Sequence, residues 1–251
     1  MDIDVKGKRV VIAGGSKGIG RSIALAFAAG GAAVSICARG AEALAATRAE
    51  MAAYGGTVHE AACDLAVEGE ITAYMESAAA ALGGIDVLVN NATGYGWGDD
   101  EASWTQSVAV DLLAAVRASR VAQPWLLKSG GASIINISSG SGLNPSVRTP
   151  AYGAAKAAII HYTRTQAATL VARGIRVNCV APGSIEFPGG IWDKRKQNEP
   201  AVYNAALASC PNGRMGTPEE VANVVLFLAS PLANWVTAQI ISVNGGQGLP
   251  R

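Results

Sequence analysis

Apolar residues occur along the chain mostly in short, uninterrupted runs that are rich in β-branched side chains. Runs that are apolar at nearly every position are typical of parallel strands buried on both faces of a sheet. The pattern predicts about seven strands. They are Arg9–Ala13, Ala33–Ala38, Thr57–Ala62, Asp86–Asn90, Ser133–Ile137, Arg176–Ala181 and Gln239–Val243.

Longer segments between the strands carry apolar residues at helical spacing. The clearest helix start has Thr217 as cap, Pro218 at the first position and two glutamates in the first turn. Alternating strands and helices predict an α/β fold, a single doubly wound parallel sheet with helices on both faces. Because no linker divides the pattern, residues 1–251 are expected to form one domain. The predicted helices are about Gly18–Ala29, Ala41–Tyr54, Glu68–Leu82, Ser103–Leu127, Ala151–Arg173 and Pro218–Ala229.

Ligands of such sheets bind beyond the carboxyl ends of the strands. Several residues that could bind a ligand or take part in a reaction follow the predicted strands directly. We expect them to meet at that edge. They are Gly14–Gly20, Arg39, Asp64, Asn90, Ser139 and Pro182.

Composition excludes several classes of protein. The 251 residues are 50% hydrophobic and 16% charged, which suits a large core. The net charge of +1 does not indicate a basic surface of the kind that binds nucleic acid. No segment has the ~18 consecutive apolar residues that span a bilayer, and the first residues lack the layout of a signal peptide. We therefore expect no nucleic-acid or membrane partner.

The cysteines and histidines show no metal-ligand spacing. Cys37 and Cys179 lie in predicted strands, where a thiol behaves as a small hydrophobe, and the two histidines are isolated. Reduced thiols are the simplest interpretation, so the sequence predicts a cytoplasmic protein without a metal site.

A glycine-rich turn, Gly14-Gly-Ser-Lys-Gly18-Ile-Gly20, joins the first strand to the first helix. Such a turn lets backbone N–H groups approach a pyrophosphate at a helix N-terminus. A tight turn without a ligand is the alternative. The strand–turn–helix context favours dinucleotide binding.

Tyr152 and Lys156 lie four positions apart on a predicted helix, so both project from one face. A phenol has a reference pKa near ~10, and a neighbouring ammonium lowers it. The serine pair Ser138-Ser139 follows a predicted strand and offers a hydroxyl to a substrate oxygen. Together these groups suit proton transfer to a carbonyl oxygen. The alternative is an ordinary amphipathic helix with a half-buried Tyr and a solvated Lys.

Over nearly its whole length the chain resembles the short-chain dehydrogenase/reductase family, whose fold is of the Rossmann type. The motifs that carry the resemblance are Gly14, Gly18 and Gly20, Cys63-Asp64-Leu65, Asn90-Asn91-Ala92, Ile137-Ser138-Ser139, Tyr152 and Lys156, Pro182-Gly183 and Val243–Gly246.

The resemblance implies a role for each motif. Ser139 would hold the substrate oxygen, and Tyr152 would give a proton to that oxygen or take one from it. Lys156 would lower the pKa of the tyrosine and bind the nicotinamide ribose. It also implies a homotetramer. The cofactor-binding positions it implies are Gly14, Ser16, Lys17, Gly18, Ile19, Gly20, Arg39, Asp64, Leu65, Asn91, Ala92, Tyr152, Lys156, Pro182, Gly183 and Ile185.

Three positions depart from the family pattern. Asp111 stands where an asparagine usually supports a water relay to the lysine, and we expect a relay with altered pH behaviour; a structural Asp facing elsewhere is the alternative. Thr93 replaces a glycine and narrows the room beside the nicotinamide. Phe187 replaces a threonine that contacts the cofactor amide.

Charge at the end of the second strand predicts NADP(H). An acid there would favour a free ribose, but this strand ends in Arg39, and Lys17 lies within the glycine turn. Two cations suit a 2′-phosphate. The alternative is that Arg39 stacks on adenine while Lys17 is solvated.

The region 184–215 is expected to form a loop that covers the substrate. Aromatic residues there, and Tyr95 and Trp97 opposite, favour an apolar or cyclic ketone or secondary alcohol as substrate. The basic run Lys194–Lys196 is interpreted as a solvated helix face. Two other functions stay open, a catalytically silent nucleotide-binding or scaffold protein and an enzyme of this fold that epimerises or dehydrates.

Overall fold

The computed structural model describes residues 3–249. Within them lies a parallel sheet of seven strands, and the prediction of a single doubly wound α/β sheet is confirmed. In chain order the strands are β1 Arg9–Ala13, β2 Ala33–Ala38, β3 Val58–Ala62, β4 Val87–Asn90, β5 Ala132–Ile137, β6 Ile175–Pro182 and β7 Ile240–Val243.

The helices cover both faces of this sheet. They are α1 Gly18–Ala29, α2 Ala41–Ala52, α3 Glu68–Leu82, α4 Glu101–Gln106, α5 Ala114–Leu126, α6 Pro150–Leu170, α7 Ile191–Asn198, α8 Pro200–Ala208 and α9 Pro218–Ala229.

The strand order is β3-β2-β1-β4-β5-β6-β7. The chain therefore moves outward from β1 to β3 and then restarts on the other side of β1 with β4. The connections from β1 to β2 and from β4 to β5 therefore run in opposite directions along the sheet, and ligands of such sheets bind in a crevice at the carboxyl ends beside this reversal.

Two apolar clusters fill the space between the sheet and its helices. Val10 and Ile12 point into the cluster that contains Phe27 of α1 and Leu228 of α9, while Val11 points into the opposite cluster with Leu126 of α5. Because neighbouring strand residues face opposite sides, both sides need apolar residues. This explains the uninterrupted apolar runs in the sequence.

Two predicted segments differ from the structure. The helix predicted over Ser103–Leu127 is divided into α4, a π-helical stretch Ser107–Leu113 and α5. Asp111 lies in this π-helical stretch with its side chain fully buried against Lys156 of α6, and such stretches often occur at functional sites. The region 184–215 contains α7 and α8 rather than a loop alone. Pro200 begins α8 at a position where proline favours a helix start.

No helix within residues 3–249 is both long enough and apolar enough to cross a membrane.

A charged clamp joins Arg9, the first residue of β1, to Asp86, the residue that precedes β4. Arg9 donates to both carboxylate oxygens of Asp86 from its guanidinium, at 2.9 and 2.6 Å, and from its backbone N–H at 2.9 Å. Burial raises the pKa of Asp86, but these bonds from Arg9, with a contribution from the nearby Ser129 hydroxyl, outweigh it and lower the pKa to about 2. The clamp lies at the amino ends of the strands, at the edge of the sheet opposite to the crevice.

We expect Asp86→Asn to lower the free energy of unfolding by about 2 kcal/mol near neutral pH. A carboxylate whose pKa is lowered in the folded state stabilises above its unfolded pKa, and this contribution disappears as pH falls toward about 2. Urea unfolding at about pH 7 and about pH 3 measures the difference. Glu50→Gln is the control, because Glu50 pairs with Arg21 at the exposed surface and its loss should cost less than about 1 kcal/mol. A wild-type advantage that persists undiminished at the lower pH would contradict the assignment.

Candidate active site

The glycine-rich turn follows β1 and is held against β2 by backbone bonds. Gly14 and Gly15 donate to the Cys37 carbonyl at 3.1 and 3.0 Å. Gly14 has a positive φ of 90°, and a Cβ at Gly20 would overlap the carbonyl oxygen of Gly14. The turn therefore requires glycine at both positions for its shape, independently of any ligand.

The N-terminus of α1 suits an anion. The cap residue Lys17 forms no side-chain hydrogen bond to the helix, and the first turn carries no acidic residue. The first N–H groups of a helix lack partners within the helix and attract negative charge. The turn and helix start therefore fit the pyrophosphate of a dinucleotide.

The end of β4 packs directly on this turn. Asn91 donates from its side chain to the Gly14 carbonyl at 2.6 Å and from its backbone to the Ala13 carbonyl at 3.0 Å. A Cβ at Gly14 would lie only 2.9 Å from the Ala92 Cα, so there is no room for a side chain between them. Asn91 thereby couples the two strands that border the crevice.

Residues at the ends of β2 and β3 form the next part of the same edge. Arg39 is exposed, as is Lys17 in the glycine turn, while Asp64 is half-buried and Leu65 is buried. The Asp64 carboxylate accepts from the Ala66 N–H at 3.0 Å. Lys17 and Arg39 thus place two exposed positive charges at the edge of the crevice nearest β2.

The two serines after β5 differ in their surroundings. Ser138 is buried and donates to the Lys156 carbonyl at 2.7 Å, which ties β5 to α6. Ser139 is half-buried, and its hydroxyl accepts from the Ser141 N–H at 3.1 Å at the start of a short 3₁₀ turn, Gly140–Gly142. That turn packs on α6 so closely that a side chain at Gly142 would meet the Lys156 backbone.

Tyr152 and Lys156 lie one turn apart on α6, and the ammonium is 5.6 Å from the centre of the phenol ring. The ammonium donates to the Ile137 carbonyl at 3.1 Å and to the Ala92 carbonyl at 3.4 Å. Its nitrogen also lies 3.2 Å from Oδ1 of Asp111. The contact with Asp111 is an ion pair rather than an aligned hydrogen bond.

The Lys156 ammonium is stabilised in its charged form. Burial lowers the pKa of Lys156, but the Asp111 charge and its other partners outweigh this, so the pKa lies above its ordinary value. Asp111 is fully buried and Lys156 is 3% exposed. A cavity of about 10 Å³ borders both residues, which is near the smallest space that holds one water.

Two aromatic residues after β4 reach toward Tyr152. The Trp97 ring is 5.1 Å from the Tyr152 ring and tilted by 59°, and the Tyr95 ring meets Trp97 edge-on at 5.5 Å. Tyr95 is 53% exposed and has a positive φ of 60°, an uncommon conformation for a side-chain-bearing residue. The rings of Tyr95 and Trp97 together form an aromatic wall beside the Tyr152 ring.

The turn after β6 closes the opposite side. Gly183 donates to the Val243 carbonyl at 3.0 Å, and Ile185 is buried next to it. The Phe187 ring lies on the glycine turn, where a Cβ at Gly18 would overlap it. The residue that replaces the family's threonine therefore packs on the glycine turn at Gly18.

The structure places the residues singled out from the sequence along one edge of the sheet, and Asp111 faces Lys156 rather than elsewhere. Sequence reasoning missed the carbonyls of Ala92 and Ile137 as partners of Lys156, because every residue carries a carbonyl and no side-chain signal marks them. It also missed the packing of Phe187 on Gly18, which depends on the path of the chain between β6 and α7.

Comparisons with known proteins agree with this geometry. A family model described as enoyl-(acyl carrier protein) reductase matches residues 13–247. The 7alpha-hydroxysteroid dehydrogenase of Escherichia coli strain K12 is 34% identical over 249 residues, which cover 98% of this chain and 96% of that protein.

Solved structures give the same result. L-sorbose reductase from Gluconobacter frateurii, complexed with NADPH and L-sorbose, superposes with a TM-score of 0.91 at 32% identity and covers 100% of both chains. A 7 alpha-hydroxysteroid dehydrogenase complexed with NADH and 7-oxo glycochenodeoxycholic acid has a TM-score of 0.90 at 34% identity, covering 99% of this chain and 98% of the other. The chain belongs to the short-chain dehydrogenase/reductase family. It is an oxidoreductase of that family and uses a nicotinamide dinucleotide.

Proposed function

We propose that the protein is an NADP(H)-dependent oxidoreductase that transfers a hydride between nicotinamide and a ketone or secondary alcohol. One observation carries the proposal: the Lys156 ammonium lies 5.6 Å from the Tyr152 ring, and the carbonyl of Ala92 that binds it belongs to the segment packed on the glycine turn. The proton-transfer group and the dinucleotide crevice are therefore joined through one lysine.

Each side chain has a role that its surroundings support. When bound, the nicotinamide supplies or accepts the hydride. Ser139, half-buried at the mouth of the crevice, holds the substrate oxygen. Tyr152 gives that oxygen a proton in reduction and takes one in oxidation. Lys156 lies within reach of the phenol and orients the ribose, whereas Asp111 acts through Lys156.

The residues proposed to bind the dinucleotide lie along this same edge of the sheet. The pyrophosphate lies against the N-terminus of α1, adenine lies near Asp64 and Leu65, and the nicotinamide lies near the turn after β6. The full proposed set is Gly14, Ser16, Lys17, Gly18, Ile19, Gly20, Arg39, Asp64, Leu65, Asn91, Ala92, Tyr152, Lys156, Pro182, Gly183 and Ile185.

The preference for NADP(H) rests on Arg39 and Lys17. Both side chains are exposed at the rim beside β2, where the adenosine ribose lies in this fold. Neither forms an ion pair within residues 3–249, so both are available to a 2′-phosphate. A guanidinium and an ammonium bind a phosphate through charge-assisted hydrogen bonds.

The substrate class rests on the aromatic wall. Trp97 packs on the Tyr152 ring and Tyr95 on Trp97, so a substrate oxygen near Tyr152 places the rest of the molecule against aromatic surface. Such surfaces favour flat or cyclic apolar groups. We propose an apolar or cyclic ketone or secondary alcohol as the substrate, with region 184–215 as its cover.

We also propose that the protein is a cytoplasmic homotetramer. Its four cysteines are free and buried, as suits a reducing compartment. Trp235 is 99% exposed and Val147 is 91% exposed, and large exposed apolar side chains often mark contacts between copies. Light scattering of the purified chain measures the mass, and a stable monomer contradicts the tetramer.

We expect Tyr152→Phe to lower kcat for carbonyl reduction by a factor of about 10² or more, because a positioned proton donor contributes this much. NADPH binding, measured by calorimetry, should remain nearly unchanged since the ring and its contacts persist. Tyr54→Phe, on the exposed surface, is the matched control. Retained turnover in Tyr152→Phe refutes the assignment, and tight NADPH binding without turnover on any carbonyl in the wild type indicates a catalytically silent protein.

Arg39→Asp should reverse the preference between NADP(H) and NAD(H). The substitution removes a partner of the 2′-phosphate and adds an acid that accepts from a free 2′-hydroxyl. We expect kcat/KM with NADPH to fall by a factor of about 10 to 10², since hydrogen bonds to charged groups contribute about 1.5–3 kcal/mol. Arg173→Asp, at an exposed position after α6, is the control. A kcat/KM of the wild type with NAD(H) that equals or exceeds its value with NADP(H) would contradict the proposed preference.

Trp97→Ala should raise KM for cyclic or aromatic ketones by about tenfold, because a stacked aromatic contact contributes about 0.5–1.5 kcal/mol beyond its buried area. Small acyclic ketones should lose little. The measurement is a set of NADPH oxidation assays across ketone classes, with Tyr54→Ala on the exposed surface as control. A wild-type preference for polyhydroxylated or acyl-carrier substrates would overturn the substrate class.

A further inference from the structure

The Lys156 ammonium is paired with a carboxylate that has no contact with solvent. Asp111 Oδ1 is 3.2 Å from the Lys156 nitrogen, and the exposed fractions of the two side chains are 0% and 3%. Asp111 Oδ2 accepts from the Gly94 N–H at 3.1 Å. The carboxylate is therefore fixed from both sides, by α6 and by the segment that carries Trp97.

This carboxylate changes the charge that Tyr152 experiences. A lone ammonium beside a phenol favours the phenolate, whereas an ammonium with an adjacent carboxylate presents a dipole with almost no net charge. Because both charges are buried, water screens neither of them. Asp111 thus removes much of the electrostatic advantage that Lys156 alone gives to the phenolate.

We propose that Asp111 is a positioning residue that, through Lys156, keeps the hydroxyl of Tyr152 protonated to higher pH and thereby adapts the site to carbonyl reduction. The proposal rests on the proposed function, in which Tyr152 is the proton donor of reduction. Retaining the proton preserves that donor, while alcohol oxidation requires the phenolate and begins only at more alkaline pH.

The other titratable groups at this site do not change their charge near neutral pH. On the segment after β4, burial raises the pKa of Tyr95, with smaller contributions from Tyr152 and Asp111, and Arg39 opposes them. On β6, burial raises the pKa of Cys179 to about 11, against the opposing effect of Lys156. Lys156 itself stays charged. Changes of rate with pH near neutrality therefore do not arise from these three groups.

Asp111→Asn tests the proposal, because asparagine keeps the shape and an acceptor oxygen but removes the charge. The readout is the pH dependence of kcat/KM for ketone reduction with NADPH and for oxidation of the corresponding alcohol. We expect both midpoints to move down by about one pH unit or more. Oxidation below its midpoint then rises by about tenfold, while reduction above its midpoint falls by a similar factor.

A second measurement does not depend on turnover. Ultraviolet absorbance follows tyrosinate formation with pH, and subtracting the Tyr152→Phe titration isolates the signal of Tyr152 in each background. Asp111→Asn should shift that signal downward as well. Asp111→Glu keeps the charge, and its midpoints should stay nearer those of the wild type than those of Asp111→Asn.

The outcomes separate the two proposals. If Asp111→Asn is active and both its midpoints equal those of the wild type, the role of Asp111 is overturned and the proposed function stands. If no protein turns over any carbonyl, the proposed function fails, and the absorbance titration still decides whether Asp111 controls Tyr152. If Asp111→Asn does not fold, Asp111→Ser takes its place in both measurements, since it also removes the charge.

Discussion

A buried cation organises this site. Lys156 lies in the interior of the protein, where an ammonium is unfavourable without partners, and it obtains them from three separate elements: a carboxylate from the π-helical stretch, a carbonyl after β4 and a carbonyl at the end of β5. Each partner is tied to another part of the crevice. The positions of the phenol, the glycine turn and the aromatic wall therefore depend on one charge and its neighbours.

The topology of the sheet explains why these elements meet. The chain returns to the centre of the sheet at β4, so the glycine turn after β1 and the segment after β4 lie side by side. Asn91 closes the contact between them through the Gly14 carbonyl. Within the sheet, the Asn90 side chain donates to Asn136, and the Asn136 side chain donates to the Thr163 hydroxyl. These buried side-chain hydrogen bonds join β4, β5 and α6. The register of α6 on the sheet is thus specified by polar contacts as well as by apolar packing.

Much of this architecture could be predicted from the sequence, for reasons that differ between elements. The buried strands and α1 are marked by local composition, and the strand bounds differ by a residue or so, as at β6, which includes Ile175 and Pro182. The π-helical stretch around Asp111 could not be predicted, because no local pattern marks it and the partner of Asp111 is a lysine 45 positions further along the chain. In region 184–215 the basic run Lys194–Lys196, interpreted from the sequence as a helix face, does lie on α7, whereas the bounds of α7 and the whole of α8 were not predicted. The roles of Ser139, Tyr152 and Arg39 remain predictions.

The clamp of Arg9 and Asp86 sits at the amino ends of β1 and β4, a full strand length from the crevice. The contacts that hold these strands together and the residues of the crevice therefore lie at different ends of the same two strands. A substitution at the crevice leaves the clamp intact, so the stability of the sheet and the chemistry of its edge can be altered separately.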